Sequence, residues 1–166
     1  HFPLLVCQTP HIPLMDGEEP PRALELLCPL SDPANVGALI RTSLAFGVEK
    51  VILLKEAAHP FLPKSIRASG GAVFEQPLAW GPPLRGMEGK SWLVALDPTG
   101  EDLTEFLWPR AVRVLVGEEG RGLGDLRCAN RLAIPMASHV QSLNAAVATS
   151  LALFSYRLQY PLSRAS

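Results

Sequence analysis

The sequence predicts an α/β domain with a mostly parallel sheet flanked by helices, and three observations carry that prediction. Apolar runs of strand length, such as Val51 to Leu54 and Val112 to Val116, alternate with stretches of helical spacing. The links between them are short and carry Pro, Gly, Asp and Ser, the residues of turns that feed crossovers. At 166 residues, 48% apolar and 19% charged, with no internal repeat, one compact core is within reach and a second full domain is not.

In chain order, residues 1–21 hold Pro3, Pro10, Pro13, Pro20 and Pro21 among short apolar groups, which reads as an extended lead-in or linker before a domain over 22–166. Ala23 to Leu30 predicts a strand, followed by a helix that Asp32 or Asn35 can cap and that Gly47 ends. Val51 to Leu54 predicts the next strand. Leu62 to Ser69 predicts a short helix stopped by Gly70 and Gly71, and Ala72 to Leu78 an edge strand. Trp92 to Leu96 is strand-like and closes in the turn Asp97-Pro98-Thr99-Gly100. Val112 to Val116 runs directly into the glycine-rich stretch Gly117-Glu118-Glu119-Gly120-Arg121-Gly122-Leu123-Gly124.

The last strand, Arg131 to Met136, crosses a polar turn into a long helix expected from Ser142 to about Tyr160. Leu143, Val147, Leu151 and Phe154 recur at helical spacing, and Ala146, Ala148, Ala152 and Leu153 stand between them, so this helix needs cover on more than one side. Ser142 and Asn144 can cap it or hold a small ligand at its head. The glycine-rich stretch is neither a Walker A loop nor a G-x-G-x-x-G fingerprint. Its acids would repel a phosphate; it suits either a tight turn or close backbone approach to a cationic or donor-rich ligand.

Bulk properties narrow the class. No run approaches the ~18 apolar residues of a membrane helix, and no signal peptide is visible. Cys7, Cys28 and Cys128 are odd in number and lack metal spacing, so reduced thiols in a cytoplasmic protein without a metal are expected. Net charge is −1, with no overall basic signature, although Arg outnumbers Lys and is the better fork for phosphate.

Three loops at strand carboxyl ends therefore carry the unusual residues, and that edge is where open α/β sheets bind ligands. Taken in order, they resemble the three signature motifs of the SpoU, or TrmH, class of SPOUT RNA methyltransferases. The first matches as Asp32-Pro33-Ala34-Asn35-Val36-Gly37 with Arg41-Thr42, the second as Gly117-Glu118-Glu119-Gly120-Arg121-Gly122-Leu123, and the third as Ile134-Pro135-Met136 with Ser142-Leu143-Asn144. The resemblance covers about residues 24–160. Glu118 stands where the family often has Asn, and Ser31 precedes Asp32 where the family is usually more acidic.

The resemblance implies S-adenosylmethionine-dependent methylation of a ribose 2′-hydroxyl in tRNA or rRNA, a SPOUT fold with a C-terminal deep trefoil knot, and a homodimer that buries the last helix. It places Arg41, Asn35, Glu119, Ser142 and Asn144 at the reaction centre, and Leu96, Gly117, Gly120, Ile134, Met136, Ser142, Leu143 and Asn144 around the cofactor. The chemistry needs alignment of a ribose oxygen behind an activated methyl, worth roughly 7–11 kcal/mol, and removal of a proton, worth about 10²–10⁴-fold. Two roles stay open for Arg41: proton acceptor, as the family proposal has it, or cationic clamp, because a guanidinium is protonated throughout the physiological range. Glu119 would orient Arg41 or a cofactor amine; Asn35 is a helix cap or a direct contact. His139 has the right pKa class for a base, yet the motif does not require it.

Two other readings share the fold: a SPOUT enzyme that methylates a base nitrogen, and a catalytically silent RNA-binding or assembly factor. The intact set Asn35, Arg41, Glu119, Ser142 and Asn144 argues against the latter. The chain opens on His1 rather than Met, which raises the expectation of an RNA-binding segment upstream, as members of the class often carry.

Overall fold

The computed structural model describes Val6 and residues 8–117, 123–128 and 130–162. Its six strands are β1 (Leu24–Cys28), β2 (Lys50–Leu53), β3 (Leu78–Trp80), β4 (Leu93–Asp102), β5 (Val112–Leu115) and β6 (Asn130–Ala133). They form one sheet in the order β3-β2-β1-β5-β4-β6, and every neighbouring pair is parallel. The helices are α1 (Pro33–Ala45), α2 (Pro63–Ser69) and α3 (Ala145–Gln159).

The apolar runs are continuous because both sheet faces are buried. Leu24, Leu26 and Cys28 of β1 point into the larger core with Val36, Leu39 and Ile40 of α1 and with Ala152, Leu153 and Tyr156 of α3. Leu27, on the opposite face, packs with Ile52, Leu93, Ala95 and Leu115 over Leu84 and Met87, which lie in a 3-10 turn at Leu84–Met87.

Asp32 wins the cap of α1: its Oδ1 accepts from the Ala34 N–H at 3.2 Å and from Lys64 Nζ at 2.7 Å. That second bond ties the head of α2 to the head of α1. The helices then touch through backbone, because a Cβ on Gly37 would lie 2.2 Å from the Ser65 carbonyl oxygen. Only glycine fits there.

Three expectations are corrected. Residues 72–74 form a 3-10 turn, Ala72–Phe74, and the edge strand begins only at Leu78. Gly70 and Gly71 both take positive φ, 59° and 93°, turning the chain before any strand can start. Buried Gln76 then fixes the turn by donating to the Val48 carbonyl at 3.0 Å. Strand β4 does not end at Leu96 but resumes pairing with β6 after a bulge at 97–100. The last helix starts at Ala145 with Asn144 as its cap, two residues later than Ser142 would set it.

The proline-rich lead-in is extended and packs on the domain. The Met15 N–H donates to Trp80 and the Trp80 N–H to Pro13, both at 2.8 Å, which covers the β3 edge. Farther on, the Gly17 carbonyl accepts from Arg113 Nη1 at 3.3 Å. Arg113 on β5 and Glu25 on β1 are direct register partners and form an ion pair with side chains only 1% and 5% exposed, the Arg113 guanidinium lying over the Trp92 ring. An ion pair so buried is costly to break from one side. Arg113→Met should lower unfolding free energy by about 3–5 kcal/mol, and adding Glu25→Leu should recover most of it in urea titrations; additive losses in the double variant would refute the pairing as the cause.

Candidate functional site

A cavity of about 390 Å³ opens at the carboxyl ends of β4, β5 and β6. That is within the ordinary size of a small-molecule site. Leu96, Asp97 and Pro98 come from β4 and its bulge, Val116 and Gly117 follow β5, and Leu132, Ile134 and Met136 come from β6 and its continuation. Ser142, Leu143 and Asn144, with Ala145 and Ala148 on the first turns of α3, complete the lining. The walls are thus mainly aliphatic, with polar groups at the strand ends and the helix head.

The helix head is held by Asn144. Its Oδ1 accepts from the Ala146 and Val147 N–H groups at 2.9 and 3.3 Å, leaving Nδ2 to donate to Asn35 Oδ1 at 3.0 Å. A cap residue with its amide committed on both sides cannot rotate without breaking a bond. The first turn of α1 and the cavity are therefore one unit, although 109 residues separate the two asparagines.

The floor is held by Arg131. Its guanidinium donates to Asp97 Oδ2 and to the Leu126 and Gly124 carbonyls, so it joins the β4 bulge, β6 and the loop at 123–126. Burial alone would raise the Asp97 pKa; the side-chain and backbone bonds from Thr99 and the charge of Arg131 outweigh it and hold the carboxyl below its usual value. Asp97 is accordingly an anion at neutral pH. At Gly100 the bulge lies directly on β6: an added Cβ would fall 2.3 Å from the Arg131 carbonyl carbon and 2.5 Å from the Leu132 nitrogen.

Seven residues expected around a cofactor, Leu96, Gly117, Ile134, Met136, Ser142, Leu143 and Asn144, line this one cavity. Asn35 touches it through Asn144. Glu119 and Gly120 lie outside the described residues. Arg41 is exposed on α1 and does not line the cavity; its guanidinium lies over the end of α2, with Nη1 3.6 Å from where a Cβ on Gly70 would sit. His139 is exposed in the loop before α3 and does not line the cavity. Sequence reasoning missed Asp97, Pro98, Val116, Leu132, Ala145 and Ala148. The first two were legible only as a turn, and the spacing of Ala145 and Ala148, one turn apart on α3, was the signal for a small-residue face. Among the described residues no cluster of three metal-ligating side chains occurs, and no helix is long and apolar enough to cross a membrane.

A model of the SpoU rRNA Methylase family matches residues 26–154. The chain is 44% identical over 155 residues to a protein of Syntrophobacter fumaroxidans named ribosomal RNA small subunit methyltransferase G 2, covering 93% of this chain and 31% of that protein. An rRNA methyltransferase of Sinorhizobium meliloti solved with AdoMet bound superposes with a TM-score of 0.74 at 28% identity, covering 90% of this chain and 62% of that one. A solved RNA 2′-O ribose methyltransferase superposes at 0.70 with 25% identity, covering 94% and 61%. The chain thus spans less than two thirds of the length of each of these relatives.

Because the Gly100 crossing meets backbone rather than a movable side chain, Gly100→Ala should cost at least about 1–3 kcal/mol. Equilibrium unfolding with an unchanged m-value is the measurement; a variant as stable as the parent would mean that the bulge does not rest on β6.

Proposed function

The chain belongs to the SpoU rRNA methylase family, and from that premise we propose that it transfers a methyl group from S-adenosylmethionine to a ribose 2′-hydroxyl of tRNA or rRNA. The observation that carries the reading is the single cavity that gathers residues from two separate motifs and is bonded, through Asn144, to the third. S-adenosylmethionine supplies an activated methyl on a sulfonium when bound. The fit is chemical as well as spatial. Leu96, Val116, Leu132, Ile134 and Leu143 offer an apolar slot for a purine, and backbone groups at the strand ends offer directional bonds to its edges. The Asp97 carboxylate among the lining residues is already paired with Arg131, so polar recognition falls to the backbone groups and the helix head.

The chain's own residues then have distinct tasks. Asn144 fixes the helix head and hands its orientation to Asn35. Ser142, exposed at the rim, is placed to hold the entering ribose or phosphate. Arg41, six residues beyond Asn35 on α1, is exposed with its guanidinium over Gly70, open to an approaching RNA. There it acts as proton acceptor or as clamp on the phosphate beside the target. Glu119 and Gly120 belong to the same proposal, the carboxylate orienting Arg41 or a cofactor amine and the glycine admitting the cofactor backbone closely. An RNA substrate is in keeping with the cytoplasmic setting proposed for the reaction.

A deep trefoil knot in the C-terminal part belongs to the same proposal and rests on the membership of the family and the likeness to its solved structures. A homodimer is supported by α3, whose Val147, Leu151, Phe154 and Leu158 form a stripe between 41% and 67% exposed. A stripe at that spacing, opposite a face already buried by Ala152, Leu153 and Tyr156, needs a partner.

Transfer of labelled methyl to bulk tRNA and rRNA, followed by alkaline digestion, tests the chemistry. Label should appear in alkali-resistant dinucleotides and fall by about 10²-fold or more in Arg41→Ala. Label confined to mononucleotides would move the reading to base methylation, and cofactor binding without transfer to any RNA would favour the silent factor. For the assembly, Phe154→Glu should sediment as a monomer with its cavity still able to bind cofactor; a parent chain already monomeric at micromolar concentration would remove the dimer.

A further inference from the structure

Away from the cavity, four rings stand in a row beside α2. Trp80 and His59 have centroids 5.5 Å apart, His59 and Phe61 5.8 Å, and Phe61 and Phe74 are stacked at 5.8 Å with 19° between planes. Trp80 and Phe61 pack against the main core, whereas Phe74, the last of the row, is 59% exposed. A ring buttressed from behind and left in water is a rigid apolar face.

Cations lie along α2 and at its end, on the chain leading to this ring. Arg67 is exposed on α2, and the Arg41 guanidinium lies over Gly70, four residues before Phe74. Lys64 pairs with Asp32 at the head of α1. Of the nearby carboxylates, Asp32 is held by Lys64 and Glu56 accepts from the Leu84 N–H at 3.0 and 3.1 Å, while Glu75 is exposed next to the ring. The strip is tied to the site through α1, because the Lys64–Asp32 bond and the Gly37 contact hold α2 against the first turns of α1, where Asn35 meets Asn144.

We propose that this strip is the path of single-stranded RNA next to the modified nucleotide, with a base stacked on Phe74 and neighbouring phosphates on Arg67 and Arg41. The inference rests on the methyltransferase reading and adds to it where the substrate lies. Aromatic faces rimmed by guanidinium groups suit nucleobases and their phosphates, and stacking of this kind tolerates any base. The exposed stripe of α3 is different in kind: it is aliphatic apart from Phe154, and Arg157, on the same helix, is occupied by the Phe46 and Gly47 carbonyls. That surface suits a second copy, and the Phe74 strip suits RNA.

The test is fluorescence anisotropy of a labelled 12-nucleotide oligouridylate on the parent chain, Phe74→Ala, Phe74→Tyr and Arg67→Ala, with S-adenosylhomocysteine calorimetry and sedimentation on the same samples. Phe74→Ala should weaken oligonucleotide binding about 5- to 150-fold and Phe74→Tyr should restore it. Arg67→Ala should lower the dependence of log K on log salt by about 0.7. Cofactor-product affinity and assembly state should stay at parental values in all of them. Undiminished binding in Phe74→Ala overturns the proposal, as does loss of binding that accompanies a change from dimer to monomer. A parent chain that binds S-adenosylhomocysteine but no oligonucleotide overturns the strip and leaves the cofactor reading standing; the reverse result supports the strip and removes the cofactor site.

Discussion

A hydrogen bond between two asparagine side chains, Asn144 to Asn35, is the constraint on which the site depends. It exists because two competitions for helix caps are decided in a particular way. At α1 both Asp32 and Asn35 are capping types, and Asp32 takes the role, strengthened by the Lys64 ammonium. Asn35 is thereby left on the first turn with its carboxamide directed at α3. At α3 the cap falls to Asn144, whose amide accepts from its own helix through the oxygen and donates across to the other through the NH2. Serine at that position would cap the helix and reach nothing further.

The sheet explains why such a tie is needed. Its order splits it into β3-β2-β1, reached through α1 and α2, and β5-β4-β6, whose carboxyl ends form the cavity. The halves meet at β1 and β5. On one face the seam is locked by the Glu25–Arg113 pair, with Trp92 against the guanidinium, and on the other by α1 packed on α3. The buried ion pair holds the two strands in register from within the sheet, while the asparagine pair holds the loops in register above it. Position rather than stability is what such polar contacts specify, since apolar replacements of a buried pair can be equally stable.

How much of this was legible in the sequence differs by element. Strands β1, β2, β5 and the helix α1 were readable because runs such as Val51 to Leu54 and caps such as Asp32 are local signals. The cavity lining was readable through motif resemblance, and the structure brings seven of those residues to one place. What was not readable depends on contacts distant in sequence. Residues 72–78 carry strand-forming side chains, yet two glycines at positive φ and the buried Gln76 decide the outcome. The β4 bulge looked like a terminating turn because nothing in Asp97-Pro98-Thr99-Gly100 announces that Arg131 will hold the aspartate and that β6 will lie under the glycine. Nor did the position of Arg41 along α1 reveal that its guanidinium lies toward Gly70 rather than into the cavity.

Helix α1 lies between α2 and α3, so the two exposed surfaces beside it fall on opposite flanks: the Phe74 strip on the α2 side and the aliphatic stripe on the α3 side. Arg41 projects toward the first and Asn35 toward the second. A substrate lying along α2 would meet Arg41 before it reached the cavity, and phosphate binding there favours the charged guanidinium. The position of Arg41 beside Gly70, on the flank away from the Asn35–Asn144 bond, thus fits the clamp role better than a place inside the cavity.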